Sequence, residues 1–76
     1  MTKEEALELA KIDASKIIHD EKEEYNDCVV FGTYNNEQID MYDNGDSFVV
    51  GLGIGRKNYR IDKDTRKVEE FKIIVA

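Results

Sequence analysis

The stretch from Tyr59 to Val75, YRIDKDTRKVEEFKIIV, constrains this chain most. It reads as two β-strands joined by a tight turn at Asp62-Lys63-Asp64-Thr65-Arg66. Tyr59 and Ile61 share one face of the first strand. Phe71, Ile73 and Val75 share one face of the second, because side chains alternate with period two along a strand. Asp62 and Thr65 suit the turn, since their short oxygens bond backbone amides a residue or two further on. The remainder of the chain is expected to cover or extend this hairpin.

With 76 residues the chain has room for one domain, residues 1–76, and only a small core. Charged residues make up 37% and the net charge is -6, which describes a hydrated surface. No apolar run approaches the roughly 18 residues that span a bilayer, so no membrane partner is expected. The opening TKEEALELAK lacks the apolar core of a signal peptide, which favours a cytoplasmic protein; a signal segment already removed would make it extracytoplasmic. The single cysteine, Cys28, excludes an intrachain disulfide and a multi-cysteine zinc site, and is read as a small buried hydrophobe.

Charge is unevenly spread. Between residues 20 and 46 stand Asp20, Glu21, Glu23, Glu24, Asp27, Glu37, Asp40, Asp43 and Asp46, against Lys22 alone. An acidic middle repels nucleic-acid phosphates and attracts basic surfaces, so a protein partner is expected and nucleic acid is not.

Thr2 to Glu5 forms a capping-box pattern. Ala6, Leu7, Ala10, Ala14, Ile17 and Ile18 follow at three- and four-residue spacing, which predicts one helix with an apolar stripe. Leu9 and Ile12 fall on roughly the opposite side, where they are exposed apolar residues or touch a partner, and His19 sits near the helix end. Residues 19–27 read as a frayed helix end and a loop. Cys28 to Tyr34 reads as a strand. Asn35-Asn36 is a turn signal, and Gln38 to Tyr42 a short strand with Ile39 and Met41 on one face. Asn44-Gly45 predicts a type I′ hairpin turn. Phe48, Val50, Leu52 and Ile54 then alternate along a long strand whose other face is Val49, Gly51, Gly53 and Gly55. That glycine row marks a bend or a close backbone approach.

Three apparent motifs fail on their chemistry. Gly51 to Lys57, GLGIGRK, has Arg56 where a dinucleotide fingerprint needs glycine, lacks the Gly-Lys-Ser/Thr of a P-loop, and precedes no helix. Asp40 to Gly45 begins like a calcium loop, but Tyr42 replaces an oxygen ligand and Gly51 stands where the bidentate glutamate belongs. His19 is the one histidine, and with Ser15, Ser47 and Cys28 it makes no supported nucleophile–base pair. Neither catalysis, a metal nor a cofactor is expected.

The opening TKEEALELA and the closing YRIDKDTRKVEEF resemble the two ends of a PepSY-type domain, which has an alanine-rich first helix and a terminal hairpin of the form Val-Asp-x-x-Thr-Gly-x-Val. Glu5, Ala6 and Ala10 carry the helix match; Ile61, Asp62, Thr65 and Val68 carry the hairpin match. Small bacterial immunity proteins of polymorphic toxin systems have a similar hairpin. The resemblance implies a helix packed on an antiparallel sheet and a binding or inhibitory role. Arg66 stands in place of the turn glycine, where it is expected in the left-handed region.

The expected fold is α+β: one N-terminal helix packed on an antiparallel sheet of about four strands, connected as a meander. Its expected core is Leu7, Ala10, Ala14, Ile17, Val30, Phe48, Val50, Leu52, Tyr59, Ile61, Phe71 and Ile73. Function divides between a protein-binding module, an inhibitor or immunity protein among them, and a domain that pairs with its own copy through an edge strand. A minor third reading is a ligand binder or enzyme using the Gly51 to Gly55 strand. For the first, Asp40 and Asp43 would steer a basic partner, and Tyr25, Tyr34 and Tyr42 would supply apolar anchors.

Overall fold

The computed structural model describes residues 1–20 and 27–74. Its first element is set by Thr2, whose Oγ1 accepts from Glu5 N–H while Glu5 Oε1 accepts from Thr2 N–H, both at 3.2 Å. This reciprocal cap opens helix α1, Lys3–Leu9. The helix then stops nine residues before the expected apolar stripe does. Lys11 N–H donates to Glu8 O and Ile12 N–H to Leu7 O, both at 2.9 Å, with Lys11 at φ 60. That is the Schellman closure, here with lysine in the position glycine usually fills. It turns Ile12 back onto Leu7, so Ile12 is buried, not exposed. Asp13 then caps a short 3₁₀ turn, Ala14–Lys16, by accepting from Ser15 N–H at 3.0 Å.

Among the described residues the sheet has six strands, which corrects the expectation of about four. Strand β1 is Ile18–His19, β2 Cys28–Tyr34, β3 Glu37–Asp43, β4 Ser47–Gly51, β5 Asn58–Asp62 and β6 Val68–Phe71. They lie in chain order, each antiparallel to the next. Ile18 and His19, expected at the helix end, leave the helix altogether and pair with Thr33 and Gly32. Each connection from Asn35 onward joins a full pair of strands.

The turns follow their residues, with one exchange of type. Asn35 (φ 51) and Asn36 (φ 65) join the opposed Tyr34 and Glu37 as a two-residue loop with both φ angles positive, the I′ geometry. At residues 44–46 only Gly45 (φ 86) is positive, so the expected I′ turn is absent there. Asp43 Oδ1 instead accepts from Gly45 N–H at 2.8 Å, and Asn44 N–H donates to Ser47 O at 2.9 Å. In the last hairpin Asp62 Oδ1 accepts from Asp64 N–H at 2.8 Å and Thr65 N–H at 2.9 Å, and Arg66 sits at φ 61.

Strand β4 is shorter than its alternation suggests, and Ile54 is 67% exposed. The reason is Asn58, fully buried at the start of β5. Its Oδ1 accepts from Leu52 N–H at 2.7 Å, and its Nδ2 donates to Gly53 O at 3.2 Å and Arg56 O at 3.1 Å. One side chain thus replaces the strand partners of the 52–56 loop, while Gly53 (φ 114) and Gly55 (φ 75) let the loop curl around it.

Leu7, Ala10, Ile17, Val30, Phe48, Val50 and Ile61 form the core together with Ala6, Ile12, Ile39 and Met41; Ala14, Leu52 and Tyr59 pack at its margin. Phe71 and Ile73, expected inside, are exposed, because β6 borders the sheet and its register sets Val68 and Glu70 beside Ile61 and Tyr59 on the helix face, turning Phe71 and Ile73 to the other. Val75 and residues 21–26 lie outside the described residues.

Two outcomes follow from this local chemistry. Lys11→Gly and Arg66→Gly should each raise stability by about 0.5–1 kcal/mol, because relief of a left-handed side chain outweighs the added freedom of the unfolded chain. Arg66→Gly also gives up an exposed ion pair to Glu5, a minor loss. A lowered denaturant midpoint in both variants would refute the assignment of strain. Asn58→Ala removes the part-buried hydrogen bonds that hold Leu52, Gly53 and Arg56 and should cost about 1–3 kcal/mol, read from the same melts.

Candidate functional site

Ile39 and Met41 point at the helix, so Asp40 and Tyr42 point to the opposite, outer face of the sheet. There Asp40 lies opposite Phe31 and Gly51, and Tyr42 lies opposite Val49, which in turn faces Arg60. The other expected contact residues are elsewhere. Tyr34 is on the helix face, packed against the core, and its hydroxyl accepts from Asp13 N–H at 3.3 Å. Asp43 is held at 2.7 Å by Lys63, whose ammonium also stands 4.6 Å over the Phe48 ring. That contact clamps the β3–β4 turn to the β5–β6 turn and pulls the Asp43 carboxyl below its ordinary range. Tyr25 lies outside the described residues. The structure thus joins Asp40 with Tyr42 and separates both from Tyr34 and Asp43.

Asp40 is accommodated by Gly51. A Cβ at position 51 would overlap the Asp40 carboxylate, so the glycine is there for close approach. Burial against the sheet pushes the Asp40 carboxyl above its ordinary range, opposed by hydrogen bonds from Gln38 and Gly51 N–H.

On the helix face, the early end of α1 leaves a cleft of about 490 Å³ over β4 to β6. Leu9, Ile12, Tyr34, Leu52, Tyr59 and Val68 line it, with Lys11, Lys57 and Glu70 at its rim. Lys57 stands 3.6 Å from Glu70. The cleft is open on one side and its lining mixes apolar side chains with three charged ones.

The cleft opens beside β6, the last strand of the sheet. Asp62 N–H donates to Lys67 O at 3.0 Å, and Gly55 N–H to Ile73 O at 3.1 Å. Lys67 and Ile73 therefore turn their backbone inward. By the alternation of antiparallel pairing, Glu69 and Phe71 do so as well, and Val68, Glu70 and Lys72 turn theirs outward. Sequence reasoning placed Phe71 and Ile73 in the core and so missed the border; the charge density of KVEEFK was the available signal, since central strands carry few charges.

Among the described residues, no group of three or more His, Cys, Asp or Glu is placed to hold a metal ion, and no helix is long and apolar enough to cross a membrane. Cys28 is half-buried at the irregular start of β2.

The Asp40 carboxyl gives a pH test. Its folded pKa lies above the unfolded one, so its contribution is full below the ordinary carboxylate range and is lost as pH rises through the folded value. Asp40→Asn, which keeps an acceptor for Gly51 N–H, should therefore be more stable than the parent at neutral pH. The difference should close in acid, where both side chains are neutral. Melts showing the variant weaker at neutral pH, or a gap indifferent to pH, would contradict this reading.

No protein-family model, no curated protein and no solved structure matches the chain.

Proposed function

We propose that this chain is a small non-catalytic protein-binding module that takes an extended segment of a partner along the outer side of β6. The observation that carries this reading is the outward-facing backbone of Val68 and Glu70 beside the helix-face cleft. An added strand would satisfy these amides and carbonyls, and its alternate side chains would lie beside Val68 at the cleft mouth. Main-chain pairing supplies affinity in such an arrangement, and the cleft supplies selectivity.

Exposed apolar side chains support the same place. Val68, Phe71, Ile73 and Ile74 gather at this border, and Ile74 is 85% exposed. The resemblance of the chain ends to PepSY-type domains and immunity proteins points toward binding and inhibition as well. Occupying an extended segment of a partner is a direct way to block it.

The test uses proline, which removes an N–H without disturbing the inward bonds. Extended peptides selected for binding should slow amide exchange at Val68 and Glu70. Glu70→Pro should fold normally and bind the same peptides at least about tenfold more weakly, the size expected for lost main-chain bonds. Selected binders that protect other amides and ignore Glu70→Pro would rule the edge out.

A further inference from the structure

We infer that the segment seated on β6 is the β6 of a second copy, paired antiparallel about a two-fold axis through Phe71; this rests on the reading of β6 as a binding edge. A two-fold axis makes each residue face a partner fixed by the register, so self-complementarity can be checked residue by residue. Outward-facing residues must oppose outward-facing residues, which restricts the pairing to registers centred on a residue. Centring on Glu69, Glu70 or Lys72 places that charge opposite its own copy, which is unfavourable. Centring on Val68 drives the partner into the turn, where Arg66 at φ 61 ends the extended chain.

Centring on Phe71 meets none of these obstacles. Glu70 then faces Lys72 of the second copy, and Lys72 faces its Glu70, on the helix face beside Lys57. Val68 faces Ile74, covering two exposed apolar groups. On the outer face, Phe71 packs against its own copy; it is 38% exposed in the monomer. This places the aromatic pair at a non-bonded position, where opposed side chains approach most closely. Lysine in an edge strand usually discourages pairing. Here Lys72 lands on a carboxylate, so in this register it favours the pairing. The product is one continuous sheet of twelve strands, twice the six of one chain.

Sedimentation equilibrium from micromolar to millimolar concentration tests the inference. The expected result is a rise from the monomer mass to twice that mass. Glu70→Lys and Lys72→Glu each set like charges opposite one another twice, and each should weaken the dimer by about tenfold or more. Mixing these two variants should restore association, because every 70–72 pair is then of opposite sign. A monomer at all concentrations would overturn the inference while leaving the peptide-binding test of the edge standing. A dimer indifferent to both charge variants, or a mixture that associates no better than its parts, would overturn the register and with it the inference.

Discussion

Coverage is the constraint on which the rest of this structure depends. Six strands spaced about 4.8 Å apart set the outer two roughly 24 Å from each other, whereas a helix is about 10 Å across with its side chains. One helix of seven residues therefore shields the middle of the sheet and leaves its margins in water. The burial pattern also follows the faces: Ile39, Met41, Val50 and Ile61, on the helix side, are completely enclosed, while Ile18 and Phe71, at the two borders, lie on the side away from the helix and are exposed. Longer coverage was available in principle, since apolar residues continue to Ile18. The backbone reversal at Lys11 takes that coverage away and spends Ile12 and Ile17 on closing the near side of the core.

What the sequence revealed depended on whether a signal was local. The turn at Asp62 to Arg66 was legible because its chemistry is contained in five residues: one carboxylate caps two amides and one residue takes positive φ. The capping box was legible for the same reason. The end of α1 was not, because Ala14, Ile17 and Ile18 keep helical spacing after the helix has stopped. Lysine at the reversal carries none of the information glycine would. The six-strand count was obscured likewise, since β1 holds two residues and is defined by what it pairs with. Position in the sheet is a tertiary property, which is why the terminal hairpin looked central.

The polar residues show a similar division. Asp40, Tyr42 and Asp43 are neighbours in sequence, yet alternation sends Asp43 to the opposite side from Asp40, where Lys63 holds it. A run of acidic residues is thus no guide to an acidic surface when the run is a strand. Asn58 was invisible for another reason. Nothing in Lys57-Asn58-Tyr59 announces a side chain with partners at Leu52, Gly53 and Arg56, and the glycine run upstream drew attention to phosphates instead. The glycines serve that asparagine, and the loop they form caps the inward side of Ile73, which fixes which backbone groups of the border face out.

The same limit on coverage would let the proposed binding edge coexist with a stable fold. A sheet margin that no helix reaches contributes little to the core, so its side chains can be chosen for pairing at small cost to folding. At Phe71 and Ile73 apolar groups are exposed to water, flanked in sequence by Glu69, Glu70 and Lys72. Charges of both signs on one short strand turn register into selectivity: a wrong register sets like charges opposite, and a right one joins opposite charges. Main-chain bonds are the same for every partner, so discrimination must come from these side chains. On the proposed reading, a border whose outward residues are Val68, Glu70 and Lys72 would be both open to a strand and particular about which strand it accepts.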